Sequence, residues 1–192
     1  MDLITINRNF TQTNFAEQSF IREEYESCQF NGCNFARVNL TDAKFIECVF
    51  ENCDLSLANL TNTALRECHF KNCKLLGLRF DDCNNFGFEV DFESCLLDDA
   101  SFYKLSLKKM IFKSLRLHGT DFTECDLSGA VFENCDMGGA IFEHTNLAQA
   151  DFRSAINYSI HPEINRIAGA KFSASGLSGL LERYDIEIDF GR

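Results

Sequence analysis

From Phe10 to Phe80 every fifth residue is Phe, Tyr or Leu without a miss, and a second run from Phe92 to Phe152 alternates Phe with Leu or Met at the same interval. A period of five fits neither an amphipathic helix, whose beat is 3.6, nor a flat strand, whose beat is two. It requires a chain that turns a corner about every five residues and points one large side chain inward on each side. The residue two before a centre is usually small or carries a thiol, as at Ala43, Ala58, Thr63, Ala100, Thr120, Ala130, Ala140 and Ala150. It shares the parity of the centre and supplies a second inward position.

The cysteines follow the same beat. Cys28, Cys33, Cys48, Cys53, Cys68, Cys73, Cys95, Cys125 and Cys135 each lie two before a centre, and Cys83 keeps that phase relative to position 85. Cys28, Cys48 and Cys68 recur every 20 residues, as do Cys33, Cys53 and Cys73. Twenty residues is four beats, so the chain returns to the same face after four sides, which predicts an all-β, square coil with parallel stacking.

Twelve residues separate Phe80 from Phe92, two beats plus two extra residues. Counting that break as two beats keeps Phe70 and Phe92 on one face, together with Phe10, Phe30, Phe50, Phe112, Phe132 and Phe152. Asp81 to Asp91 is therefore expected to be a coil carrying a two-residue bulge on a continuous rod over 1–155. Residues 156–192 are expected to form a last coil, a capping helix and a tail. Stacked coils lie about 4.8 Å apart, giving a rod of roughly 35–40 Å. Thiols one coil apart are too distant for a disulfide, which needs Cβ atoms about 3.8 Å apart. The cysteines are expected to pack as small buried hydrophobes.

Several function classes are excluded by what the chain lacks. Its formal charge of −11 leaves too few clustered Lys and Arg for direct nucleic-acid binding, and the most basic stretch, Leu105 to His118, reads as a solvated face. No apolar run is long enough for a membrane helix, so no membrane partner is expected. The start, "MDLITINRNF", has no basic and apolar leader pattern, and the expected location is cytoplasmic. The Cys spacing is absorbed by packing, so no metal site is assigned. His69, His118, His144 and His161 are scattered, and "SGLSGLL" lacks the Lys of a phosphate loop. No catalytic or cofactor-binding residue is assigned, no cofactor is expected, and an enzyme is not the expected reading.

Function must then reside on exposed positions. In the bulge these are Asp81, Asp82, Phe86, Phe88, Glu89 and Asp91, a candidate protein-binding patch. One of Phe86 and Phe88 can fill the inward slot, leaving the other exposed, or both can pack inward. In the tail, Leu177, Leu180, Leu181 and Tyr184 fall at helix spacing behind Ser175 as candidate N-cap. "DIEIDF" alternates Ile186, Ile188 and Phe190 as a short strand. This segment would cover the open sheet edge of the last coil. It would also offer a two-fold dimer surface through Leu177, Leu180, Leu181, Tyr184, Ile186 and Ile188.

The recurring unit seen in "ANLTN", "CDLSG", "TNLAQ" and "ADFRS" resembles the pentapeptide-repeat family over Phe10 to Phe152. That resemblance implies a right-handed quadrilateral β-helix. The tail from Asn157 to Asp189 is similar to that of the McbG- and AlbG-like immunity members, related to the Qnr quinolone-resistance proteins. These imply a homodimeric rod that mimics DNA and binds DNA gyrase or topoisomerase IV, protecting it from toxins or antibiotics. The chain departs from the Qnr pattern in lacking long projecting loops. The alternative is a non-enzymatic protein-interaction scaffold with no topoisomerase role.

Overall fold

The computed structural model describes residues 4–17, 23–184, 186, 187 and 189. The chain winds as a parallel β-solenoid. One sheet holds β1 (Ile4–Ile6), β3 (Glu24–Glu26), β5 (Lys44–Ile46) and β7 (Ala64–Arg66). A second holds β2 (Asn9–Thr11), β4 (Gln29–Asn31), β6 (Val49–Glu51) and β8 (Cys68–Lys71), continued by β9 (Val90–Glu93), β10 (Ile111–Lys113) and β11 (Val131–Glu133). The other two sides are stacked through single bridges, such as Asn34 on Asp54 and Ser101 on Asp121.

The register is the one the beat predicts. Phe10 pairs with Phe30, Phe30 with Phe50 and Phe50 with Phe70, then Phe70 with Phe92 across the bulge. Rings on this side stack at centroid distances such as 4.9 Å for Phe10 and Phe30, 4.8 Å for Phe50 and Phe70, and 4.6 Å for Phe132 and Phe152. A second stack joins Phe80, Phe102, Phe122 and Phe142. Each buried Phe or Leu contributes about 1.5–3 kcal/mol. Stacking continues to Phe172, 5.4 Å from Phe152. The repeat centre Phe20 lies outside the described residues.

Two kinds of corner explain which residues accompany the centres. At turn corners the chain closes on itself: Val38 N–H donates to the Phe35 carbonyl at 3.0 Å while Arg37 sits at φ 60°, a type II turn. This leaves the N–H just after the centre outside the coil-to-coil ladder. An Asp or Asn just before the centre captures it: Asp54 Oδ1 accepts from Ser56 N–H (2.9 Å) and Asn59 Oδ1 from Thr61 N–H (3.0 Å). The Asp/Asn of the repeat is therefore a backbone cap.

At strand corners no such turn bond closes, and the inward position after the corner is a cysteine along most of the rod. Its thiol donates to the carbonyl of the centre one coil back: Cys48 to Tyr25, Cys68 to Phe45, Cys53 to Phe30 and Cys73 to Phe50, each at 3.3 Å. All ten cysteines are buried free thiols. Burial pushes the Cys48 and Cys68 thiols up to about 12. Thr145 takes the same position and bonds the Phe122 carbonyl with its hydroxyl; at turn corners Thr63 and Thr120 make the same bond to the carbonyls of Leu40 and Leu97.

The tail differs from expectation in its winding. It is a 3₁₀ segment, Ala174–Leu180, followed by a single turn, Glu182–Tyr184. The N-cap is Ser173, whose side chain accepts from Gly176 N–H at 3.2 Å, and not Ser175. The tighter winding has a packing cause. Gly176 and Gly179 lie directly on Tyr158, where an added Cβ would stand 2.1 Å from the Tyr158 carbonyl oxygen at position 179. Gly179 O in turn accepts from Ile160 N–H at 2.8 Å. Ile186, Glu187 and Asp189 are in no strand; Ile188 and Phe190 lie outside the described residues. Among the described residues no helix is long and apolar enough to cross a membrane.

Candidate protein-interaction surface

The bulge is where the repeat is broken. Asn84 N–H still bonds Thr63 O, and Glu89 N–H bonds Leu65 O, so the chain leaves and rejoins the coil stack between them. The four-stranded sheet ends here at β7. Beyond the bulge the same side is carried by bridges from Ser106 to Asp126 and Asn146.

The structure separates the two phenylalanines that the sequence left open. Phe88 is half-buried and packs against the core, its ring 6.5 Å from Phe80. Phe86 is 77% exposed. Its position is nonetheless fixed by three contacts. Asn84 Oδ1 accepts from Phe86 N–H at 3.0 Å, the cap used at the other turn corners. Arg66 Nε donates to the Phe86 carbonyl at 3.3 Å, and the guanidinium lies 5.2 Å from the ring centroid. Gly87 follows at φ +70°.

The acidic residues of the bulge divide in two. Asp81 is not an exposed group: its side chain is 8% accessible and its Oδ2 takes Arg79 Nη2 at 2.6 Å. Asp82 takes Arg79 Nε at 3.1 Å, and both carboxylates push the Arg79 guanidinium further up. The sequence grouped Asp81 with the surface because parity around the bulge is broken. Glu89 and Asp91 are exposed. Asp91 faces His69 at 3.0 Å, and Glu89 comes just before Val90 as Glu67 comes just before its partner Cys68.

One feature was missed in the sequence. Extending the pairings of Ile46 with Arg66 and of Cys68 with Val90 by one residue places Glu47, Glu67 and Glu89 in one column on successive coils. Among the described residues none of the three has a Lys or Arg partner. Several cations are instead spent between coils: Lys44 on Glu24, Lys104 on Glu124, Lys113 on Glu93, and Arg116 on Asp98. A 20-residue spacing with the two-residue break allowed for would have found the column.

The candidate dimer residues lie at the other end. Leu177, Tyr184 and Ile186 are 47%, 45% and 53% exposed; Leu180 and Leu181 are half-buried, and Ile188 is outside the described residues. Beside them a groove of about 730 Å³ runs between the last coil and the 3₁₀ segment, lined by Ile156, Tyr158, Ser175, Leu181 and Ile186. Among the described residues no group of His, Cys, Asp and Glu could hold a metal ion.

The full-length structure of QnrB1, a plasmid-mediated fluoroquinolone resistance protein, is similar to this chain at 18% identity, covering 95% of this chain and 100% of that one with a TM-score of 0.56. A trypsin-treated QnrB1 variant matches at 20% identity over 97% and 100%, with a TM-score of 0.49. HetL, a pentapeptide repeat protein involved in heterocyst differentiation regulation from Nostoc, matches at 17% over 90% and 88%, with a TM-score of 0.28. At these identities the likeness is one of fold. No curated protein sequence matches the chain. The pentapeptide repeat region model matches residues 23–86 and 88–159, breaking at the tip of the bulge. The chain belongs to the pentapeptide-repeat family.

Proposed function

We propose that this protein is a non-enzymatic, DNA-mimicking partner of a type II topoisomerase, DNA gyrase or topoisomerase IV, and that it modulates the enzyme or protects it from a toxin or antibiotic. The observation that carries this reading is the exposed carboxylate column Glu47, Glu67 and Glu89, none of which has a Lys or Arg partner among the described residues. One charge per coil is one per ~4.8 Å, against one per ~3.4 Å along a DNA strand. The overall −11 adds a diffuse field of the same sign. A homodimer through Leu177, Tyr184 and Ile186 would double the rod. The free thiols fit a reducing cytoplasm.

The test is to titrate the purified protein into gyrase supercoiling and cleavage assays, with and without a quinolone or albicidin. Changed supercoiling or cleavage at stoichiometric amounts, weakened in a Glu47→Lys/Glu67→Lys/Glu89→Lys variant, supports the reading. No effect at large excess of folded protein removes it. A second reading, a scaffold with no topoisomerase role, is favoured by one observation. Along the second sheet Glu51, Lys71, Glu93, Lys113, Glu133 and Arg153 alternate in sign, so that face is close to self-neutralised.

A further inference from the structure

We propose that the rod docks on its protein partner through the bulge, with Phe86 as an apolar anchor that enters a pocket edged by lysine or arginine side chains. This rests on the interaction reading above and adds the surface and the chemistry of the site it fits. Among the described phenylalanines Phe86 is the exposed one; the rest are buried or half-buried. An exposed ring on a loose loop would be unremarkable. This ring is held by the Asn84 cap, the Arg66 hydrogen bond and the Arg66 guanidinium. A preformed aromatic loses little conformational freedom on binding, which is the character of an interface hot spot.

The charge around it sets the partner. Residues 1–91, through the end of the bulge, carry 14 carboxylates against 8 basic side chains, net −6; residues 92–192 carry 15 against 10, net −5. The chain is therefore acidic on both sides of the bulge, and what draws a cationic surface to it is local. Glu67 and Glu89, adjacent in register, flank Arg66 and Phe86 in sequence and have no Lys or Arg partner among the described residues. On the coils that follow, carboxylates are matched by lysines: Lys104 and Lys108 pair with Glu124 and Asp126, and Lys113 with Glu93. A cationic partner surface is attracted to Glu67 and Glu89 beside the ring, and less to the matched charges beyond.

The experiment measures binding of the full chain to purified gyrase and topoisomerase IV holoenzymes, comparing wild type, Phe86→Ala and Ile141→Ala. Ile141 is another exposed apolar side chain, 42% accessible and away from the bulge. Unchanged melting temperatures exclude a folding effect. The expected result is an affinity loss of about 30-fold for Phe86→Ala and none for Ile141→Ala. Binding by wild type with less than a threefold loss in Phe86→Ala overturns the docking surface and leaves the topoisomerase reading standing. If wild type binds neither enzyme, the topoisomerase reading fails and the surface is judged separately. A photoreactive phenylalanine is then placed at 86 or 141 in cells. An adduct specific to position 86 with one identified protein, which then binds purified wild type and not Phe86→Ala, supports the proposal. No adduct above that at 141 overturns it.

Discussion

The thiol of Cys48 donates to the carbonyl of Tyr25, one coil earlier, at 3.3 Å. The same relation between Cys68 and Phe45 makes these cysteines both filler and coil-to-coil hydrogen-bond donors. Removing one loses a weak hydrogen bond and opens a sulfur-sized gap. Cys48→Ala should therefore cost about 1–2 kcal/mol of unfolding free energy, read from urea denaturation. A neutral or stabilising result would show that the sulfur neither fills space nor bonds.

The Asx cap makes a finer prediction. Asp54→Asn keeps the acceptor for Ser56 N–H and should leave stability within about 0.5 kcal/mol, whereas Asp54→Ala should cost about 1 kcal/mol. Equal losses in the two variants would mean that charge, through Lys74 at 3.9 Å, is what matters.

Stability should fall in alkali. Burial raises the Cys48, Cys68 and Cys125 thiols to about 12 and Cys135 to about 11. An unfolded thiol ionises near about 8.5. Between those values the unfolded chain has released protons that the folded chain retains, so stability is full below about pH 8 and drops as pH rises, by up to about 1.4 kcal/mol per unit for each thiol. The urea midpoint should decline steeply between about pH 9 and 11. A flat profile there would contradict buried, protonated thiols.

Gly179→Ala tests the C-terminal cover. Its new Cβ would meet the Tyr158 backbone at 2.1 Å, which cannot yield as a side chain would. The 3₁₀ segment should lift while the rod remains folded. Limited proteolysis should remove the tail at least tenfold faster with little change in the far-UV spectrum, and size-exclusion with light scattering should show loss of any dimer. A tail as resistant as the wild type's would show that the glycine contact does not hold it.

The beat of five, the four-sided coil, the register across the bulge and the inward cysteines were all legible in the sequence. Each follows from a purely local rule, one inward centre per side, and twenty residues return the chain to the same face. What the beat cannot show is how a corner closes. The spacing from Phe35 to Leu40 equals that from Phe45 to Phe50, yet one corner bonds within itself and the other between coils. Asp54 as a cap and Cys48 as a donor follow from that difference. Tertiary structure also decided the exceptions. Two extra residues break the parity near Phe86 and Phe88, and only the space left by Phe80 and the hold of Arg66 determine which ring goes in. The tail winds as 3₁₀ because Gly176 and Gly179 must lie on Tyr158, a contact that apolar spacing within the segment does not contain.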